Sequence, residues 1–313
     1  MSTVTPFAVL ALIGAVSGAV TAWLLLRRDR PAQVLTPSAP PEPMEPEVTA
    51  QLLADDQAAR VAELAHLAEL ADADPARRQD FVDRLLGELG YGGRETGAEL
   101  WPVLLRHLRR GSPRFWPGMD LHPESRVLHG VDLRGCEVRN AIFHDVHFRG
   151  DVRFDGTVFT GLVSFEGSRF ARHAHFGDAR FETGADFGNT TFTGTAGFAG
   201  ASSAGETWFD EARLSARSEF GGSRFADTSF ANAGFAGRTS FRDARFADAF
   251  FGGARFSGHA DFTGTAAERF RFPGARARTD ARVVRTWPEG WALGPSRPLK
   301  PGVWAELRES RTA

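Results

Sequence analysis

His144 and His147 flank Asp145, and His173 and His175 follow a little further along the chain. Imidazoles and a carboxylate in such company are the residue types of a divalent-metal site. The chain offers less to nucleophilic chemistry. Cys136 is its only cysteine, which rules out an internal disulfide framework and a thiolate metal cluster. No serine, cysteine or histidine set has the context of a triad, and no glycine-rich loop leads from a strand into a helix to hold phosphate. Two large aromatics, Trp208 and Phe250, suit a different task, anchoring a protein partner on an exposed surface. What any of these residues can do depends on the elements that carry them.

Composition narrows the elements. The 313 residues include 27 phenylalanines and one tyrosine, so the fold uses a flat ring without a hydroxyl. Arginine outnumbers lysine 36 to 1, Lys300 being the one lysine, which reads as genome base composition. A net charge of −2 favours neither a nucleic-acid binder nor a strongly acidic mimic.

The phenylalanines recur with a period. Large apolar residues fall at Leu128, Leu133, Val138, Phe143 and Phe148, and continue through Phe154, Phe159, Phe165 and Phe170 to Phe198 in alternating steps of six and five. After Ser203 the series resumes at Phe209 and runs to Phe262, and 21 of the 27 phenylalanines are such centres. A small or β-branched residue stands two before each centre from Phe143 on, Ala141, Val146 and Val152 being the first. Neither an α-helix nor an alternating strand has this period. Assigned cyclically to four sides, the six-residue steps at 148, 170, 192, 214, 235 and 256 all leave side two, and those at 159, 181 and 203 all leave side four. The coil therefore shortens from 22 to 21 residues after Phe220. Twenty-seven register positions, Leu128 to Ala267, give roughly seven coils and a rod of about 33 Å at ~4.8 Å per coil. Ser203 is expected to leave a local void, and Ala267 to mark the end.

Units such as Asn140-Ala141-Ile142-Phe143-His144 and Asp178-Ala179-Arg180-Phe181-Glu182 resemble the pentapeptide repeat, with phenylalanine in place of leucine at the centre. The resemblance covers about 128–267. It implies a mainly β fold, a right-handed quadrilateral β-helix in which each unit forms one side. The centre and the small residue two before it then point inward. It also implies a possible role, since some pentapeptide-repeat proteins mimic DNA and modulate gyrase.

The four-sided assignment bears on the chemistry. His147 falls beside Arg169 and His175 beside Arg153, so the histidines read as solvated surface, not as a metal site. Cys136 takes the small inward slot before Val138 and reads as core. Trp208 and Phe250 fall just before their centres, on side one with Ser229 between them, where cover by another part of the chain is the competing reading. The reading is of a chain with no catalytic residues, no cofactor and no metal.

The rest of the chain suggests where such a solenoid works. Residues 7–26 are 20 uncharged, mostly apolar positions, the length of a membrane-spanning helix, with Arg27, Arg28 and Arg30 behind them. A cleaved signal peptide fits less well, because no basic region precedes the apolar run and arginines occupy the cleavage position. Residues 1–30 thus read as a single-pass anchor with its basic flank, leaving the bulk of the chain cytoplasmic at the plasma membrane. Gly14 and Gly18 form a small-xxx-small pair that could serve as a helix-dimer face, giving a homodimer. Six prolines stiffen the linker 31–46 towards polyproline II, with a reach on the order of 50 Å.

Residues 47–111 read as an α-helical domain. Leu52, Leu53, Val61, Leu64, Leu67 and Leu70 form a first apolar stripe, a second helix runs Pro75–Leu89 behind Asp74, and a third lies between Thr96 and Arg110. Residues 112–127 connect and cap the first coil, 128–269 form the β-helix, and 270–313, with Trp287, Trp291 and Trp304, cover the last coil. The expected function is a membrane-anchored, non-catalytic scaffold for an unidentified protein partner. The alternative is a DNA-mimicking gyrase modulator. That role needs an acidic surface, and residues 128–267 hold 17 acidic residues and 14 arginines, a net of −3 taken as spread around all sides.

Overall fold

The computed structural model describes residues 46–91 and 94–310, with side chains for 59–90 and 97–310. The apolar segment 7–26, Gly14 and Gly18, and most of the proline-rich linker lie outside the described residues. Among the described residues no helix is long and apolar enough to cross a membrane. Of the N-terminal unit, Met1–Gln51, only the first turns of helix α1 (Pro46–Ala73) are described.

From Leu52 onward the chain is one unit. Asp74 caps a single 3-10 turn, Pro75–Arg77, by accepting the Ala76 N–H at 3.1 Å, and Arg78–Tyr91 continues as α2. Helix α3 is Arg94–Leu108. The buried face of α1 is Leu64, Ala68 and Ala71, whereas Leu70, counted in the apolar stripe, is exposed. The two alanines allow close approach where the leucine stripe would have held the helices apart. Leu85, Leu86, Leu100, Leu104 and Leu108 are fully buried, and their cluster is continuous with the phenylalanine interior that follows. The helices thus share the solenoid's core. Trp101 on α3 donates its indole N–H to the His129 carbonyl oxygen at 3.2 Å, and Arg110 pairs with Glu137 at 2.8 Å, tying α3 to the first coil.

Beyond Val127 each coil contributes a two- or three-residue strand to each side, paired in parallel with the strands above and below. The register is the one the spacing gives: Phe148 pairs with Phe170 and Phe170 with Phe192 on side two, while Val138, Phe159, Phe181 and Ser203 follow one another on side four. Twenty-two-residue pairings such as Ser203↔Phe225 give way to 21-residue pairings such as Trp208↔Ser229. The shortening has a consequence that spacing alone does not reveal. With the extra corner residue gone, sides four and one run together as single six-residue strands, Arg245–Phe250 and Ala266–Arg271.

The rings stack coil on coil, 4.6 Å apart for Phe148 and Phe170 and 4.8 Å for Phe176 and Phe198. Stacks on opposite sides meet edge to face: Phe187 and Phe198 lie 5.2 Å apart at 85°, Phe209 and Phe220 5.4 Å at 88°. This herringbone satisfies the ring quadrupoles throughout the interior, and leaves room only for a small residue two before each centre. At some polar positions in this slot the hydroxyl caps a carbonyl of the coil below, Thr157 donating to Leu133 O at 2.7 Å and Thr190 to Phe165 O at 3.0 Å. The buried hydroxyls of Ser218 and Thr239, in the same slot, have no hydrogen-bond partner among the described residues. The corners leaving sides one and three need a left-handed residue, as at Asp178 (φ 54°) and, directly over it, Gly200 (φ 69°), where a Cβ would strike the Asp178 carboxylate.

The ladder does not stop at Ala267. Phe272 stacks on Phe251 at 4.8 Å, Ala277 pairs with Phe256, and both are buried. Trp287 then closes over Phe256 and Phe262 at 5.2 and 5.7 Å, and Trp291 over Phe272 at 4.8 Å. An antiparallel hairpin, Trp291–Pro298 with Val303–Glu309, pairs onto Arg276–Arg278 and finishes side two. Trp304 takes no part in the plug, its indole donating to Pro301 O at 3.2 Å.

Candidate interaction surface

With centres and small residues turned inward, a partner can meet only the residue before each centre, the residue after it, and the corners. These form columns whose neighbours the register fixes. On side one the column reads Ile142, Ser164, Asp186, Trp208, Ser229, Phe250 and Arg271. Trp208 and Phe250 are both half-buried there, with Ser229 between them. They differ in availability. The Arg271 guanidinium lies over the Phe250 ring at 4.8 Å, held by Asp248 at 3.1 Å, and a Cβ at Gly252 would run into the same ring. Trp208 has no ring or cation neighbour among the described residues, and Asp186 lies beside it. Burial pushes the Asp186 carboxyl up, helped by the charges of Glu166 and Asp210 and opposed by the Gly188 N–H, which it accepts at 2.7 Å, and by His144.

One constellation appears that the sequence did not suggest. His144 Nε2 lies 2.8 Å from the Ser164 hydroxyl, with Asp186 next to Ser164 in register. Among the described residues no hydrogen bond joins Asp186 to His144, so nothing orients the imidazole as a base. The signal was present in the side-one column, which places Ser164 and Asp186 together.

His147 does pair with Arg169, and His175 with Arg153. Thr195 N–H donates to His173 Nδ1 at 3.1 Å. Among the described residues no three histidine, cysteine or acidic side chains converge on a metal position. Cys136 is buried in its inward slot, and burial pushes its thiol up to about 12.

Charge, in contrast, is sorted. It is not spread around all sides, as the net value for 128–267 suggested. Side two and its corner into side three, from Arg126 to Asp280, carry ten arginines and four histidines against two carboxylates, Asp151 and Asp280. Side one, between Ala141 and Gly253, carries five carboxylates and no arginine. Summing charge along the chain hid this, because acidic and basic columns alternate with the repeat. Where side two turns into side three, His129, Arg149, Arg153 and Arg172 surround a depression of about 550 Å³ with Asp132 and Asp151 on its wall.

The stacked four-sided coil defines the class of the fold, a parallel β-solenoid. Within it, residues 125–166 and 143–191 match the family described as pentapeptide repeats (9 copies), so these coils are pentapeptide repeats. The same inward pattern continues beyond the match to Phe272. Comparison with curated proteins and with solved structures finds no match.

Proposed function

We propose that the protein is a membrane-anchored, non-catalytic scaffold whose flat solenoid sides bind another protein at the cytoplasmic membrane face. The observation that carries this reading is the surface itself. Short strands in unbroken register present fixed columns of side chains over the whole rod, as repeat solenoids do for extended partners. Side one, with Trp208 unclaimed by any ring or cation among the described residues, is the side proposed for that partner. The apolar segment 7–26 and the arginines behind it support the anchor and its orientation. The gyrase-modulator alternative needs a strongly acidic, DNA-like surface, and five carboxylates on side one beside the ten arginines of side two count against it.

Photo-crosslinking from position 208 in living cells tests the proposal. One discrete adduct in the membrane fraction is expected, absent when the crosslinker is moved to side three. Identical adducts from both positions, or inhibition of gyrase supercoiling at micromolar protein, would sink it. A cytoplasm-only reporter fused to the C-terminus is expected to be active.

A further inference from the structure

Side two has a surplus of positive charge that the fold does not neutralise. Arg126, Arg172, Arg217 and Arg278 pair with Asp145, Asp151, Glu219 and Asp280. Arg149, Arg169, Arg213, Arg238, Arg255 and Arg276 are all exposed and have no ion-pair partner among the described residues. Register places Arg169, Thr191, Arg213, Gly234, Arg255 and Arg276 in one straight column. The field of this column reaches His147, whose pKa is lowered by burial first and then by Arg149, Arg169 and His129.

We infer that side two is the face on which the solenoid lies against an anionic lipid bilayer, its unpaired arginines meeting phosphate and carboxylate headgroups. The inference rests on the membrane attachment proposed above and adds the orientation of the rod. Three observations carry it. Charge complementarity is the first: a leaflet rich in anionic lipid attracts clustered arginines near its surface, and the anchor proposed above keeps the solenoid at a high local concentration beside that leaflet.

Shape is the second. The side-two strands stack at constant pitch with their rings inside, so the guanidinium groups project from one plane. A bilayer surface is flat on this scale, whereas a nucleic-acid duplex is a cylinder that a flat face meets only along a line. The third is the chain outside the described residues. The proline-rich linker, expected from its sequence to reach about 50 Å, lets a rod of eight stacked side-two strands, roughly 38 Å at ~4.8 Å per coil, lie down beside its own anchor. Side one, with its carboxylates and no arginine before Gly253, is repelled by the same surface, which fixes the side presented. The rod then turns side four away from the lipid and leaves Trp208 on a lateral face.

Because Cys136 is buried, a single introduced cysteine can carry a fluorophore. The full chain is reconstituted into vesicles of phosphatidylcholine alone or with about 30 % phosphatidylserine, with acceptors on the headgroups. One probe is on side two (Thr193→Cys), the other on side four (Ala204→Cys). Phosphatidylserine is expected to raise energy transfer from position 193 above that from 204, and about 0.5 M salt to abolish the difference. Arg169→Gln, Arg213→Gln and Arg255→Gln together should lower the ratio of docked to free solenoid about a hundredfold. Arg180→Gln, Arg224→Gln and Arg245→Gln remove equal charge from side four and should leave it unchanged.

Equal transfer from the two probes, or equal loss in the two triple variants, overturns the inference. Displacement of the 193 probe by duplex DNA at matched phosphate overturns it in favour of a nucleic acid. Retention on neutral vesicles through an alkaline wash reads the anchor separately. If that retention fails, the same probes on chain added from solution decide for or against side two.

Discussion

Phe225 stands directly over Ser203 on side four, 22 residues on, while Phe246 stands over Phe225 only 21 residues on. The ring stack is weakest here, with Phe225 and Phe246 6.0 Å apart against 4.8 Å for Phe235 and Phe256. Ser203 is integrated all the same: Thr207 Oγ1 donates to its hydroxyl at 2.9 Å, and the hydroxyl donates to the Gly205 carbonyl oxygen at 2.9 Å. Ser203→Ala breaks both bonds and leaves a buried threonine hydroxyl short of an acceptor, so it should cost ~1 kcal/mol in urea unfolding. Ser203→Phe, which completes the ladder on paper, should be destabilising by about 1–3 kcal/mol, because Thr207 occupies the space beside it. A Phe variant more stable than the parent would show that the slot is open.

Phe187 is in the opposite situation. It stacks on Phe165 at 5.2 Å and Phe209 at 4.8 Å and meets Phe176 and Phe198 edge-on. No neighbour can shift into its place without leaving its own stack. Phe187→Ala should therefore cost ~3–5 kcal/mol, against a smaller loss for Phe246→Ala in the loosened stack. Equal losses by denaturant midpoint would refute the contrast.

The four-sided coil was legible because one steric rule repeats: a ring, and a small residue two before it. The fused side-four and side-one strands were not, since losing one corner residue changes which backbone groups can pair, and no side chain records that. Ala267 misled as a terminus because it is small at a centre, although Phe272 and Ala277 continue the same spacing. The basic face escaped for a different reason. Arg169, Arg213 and Arg255 are far apart in sequence and become neighbours only through the four-sided register.

The C-terminal plug should be separable from the rest of the rod. Trp287 and Trp291 cover the last rings, and solenoid stability is close to a sum of coil and neighbour contributions. Trp287→Ala with Trp291→Ala should raise amide exchange in residues 260–286 while leaving 141–200 unchanged. Uniform acceleration along the chain would mean that the coils unfold as one unit.

Cys136 offers a probe of the opposite end. Its thiol is buried beside the Arg109 bridge, and burial raises its pKa to about 12, so the thiolate is absent at neutral pH. Alkylation of the native protein should proceed only as fast as the first coil opens, and should be complete in urea. Rapid native labelling would place the thiol at the surface.

Stability should fall below neutral pH through His107. The ring is buried, stacked on Trp116 at 3.8 Å, with Nδ1 3.1 Å from the Arg114 carbonyl oxygen and Nε2 without a partner among the described residues. Burial pulls its pKa below 6.5, outweighing the upward pull of the Arg114 carbonyl and of Asp72, while the charges of Arg106 and Arg114 add to the depression. The unfolded chain therefore binds this proton more readily than the folded one. The contribution of neutral His107 is complete above pH 6.5 and is lost as the pH falls from 6.5 through the lower folded value. Melting temperatures measured between about pH 7.5 and about pH 5 should decline over this window. His107→Phe retains a ring against Trp116 but leaves the Arg114 carbonyl unpaired, so it should be less stable at neutral pH by about 1–3 kcal/mol. Its decline on acidification should nevertheless be shallower than the parent's. Parallel curves for the two proteins would assign the pH dependence to other groups.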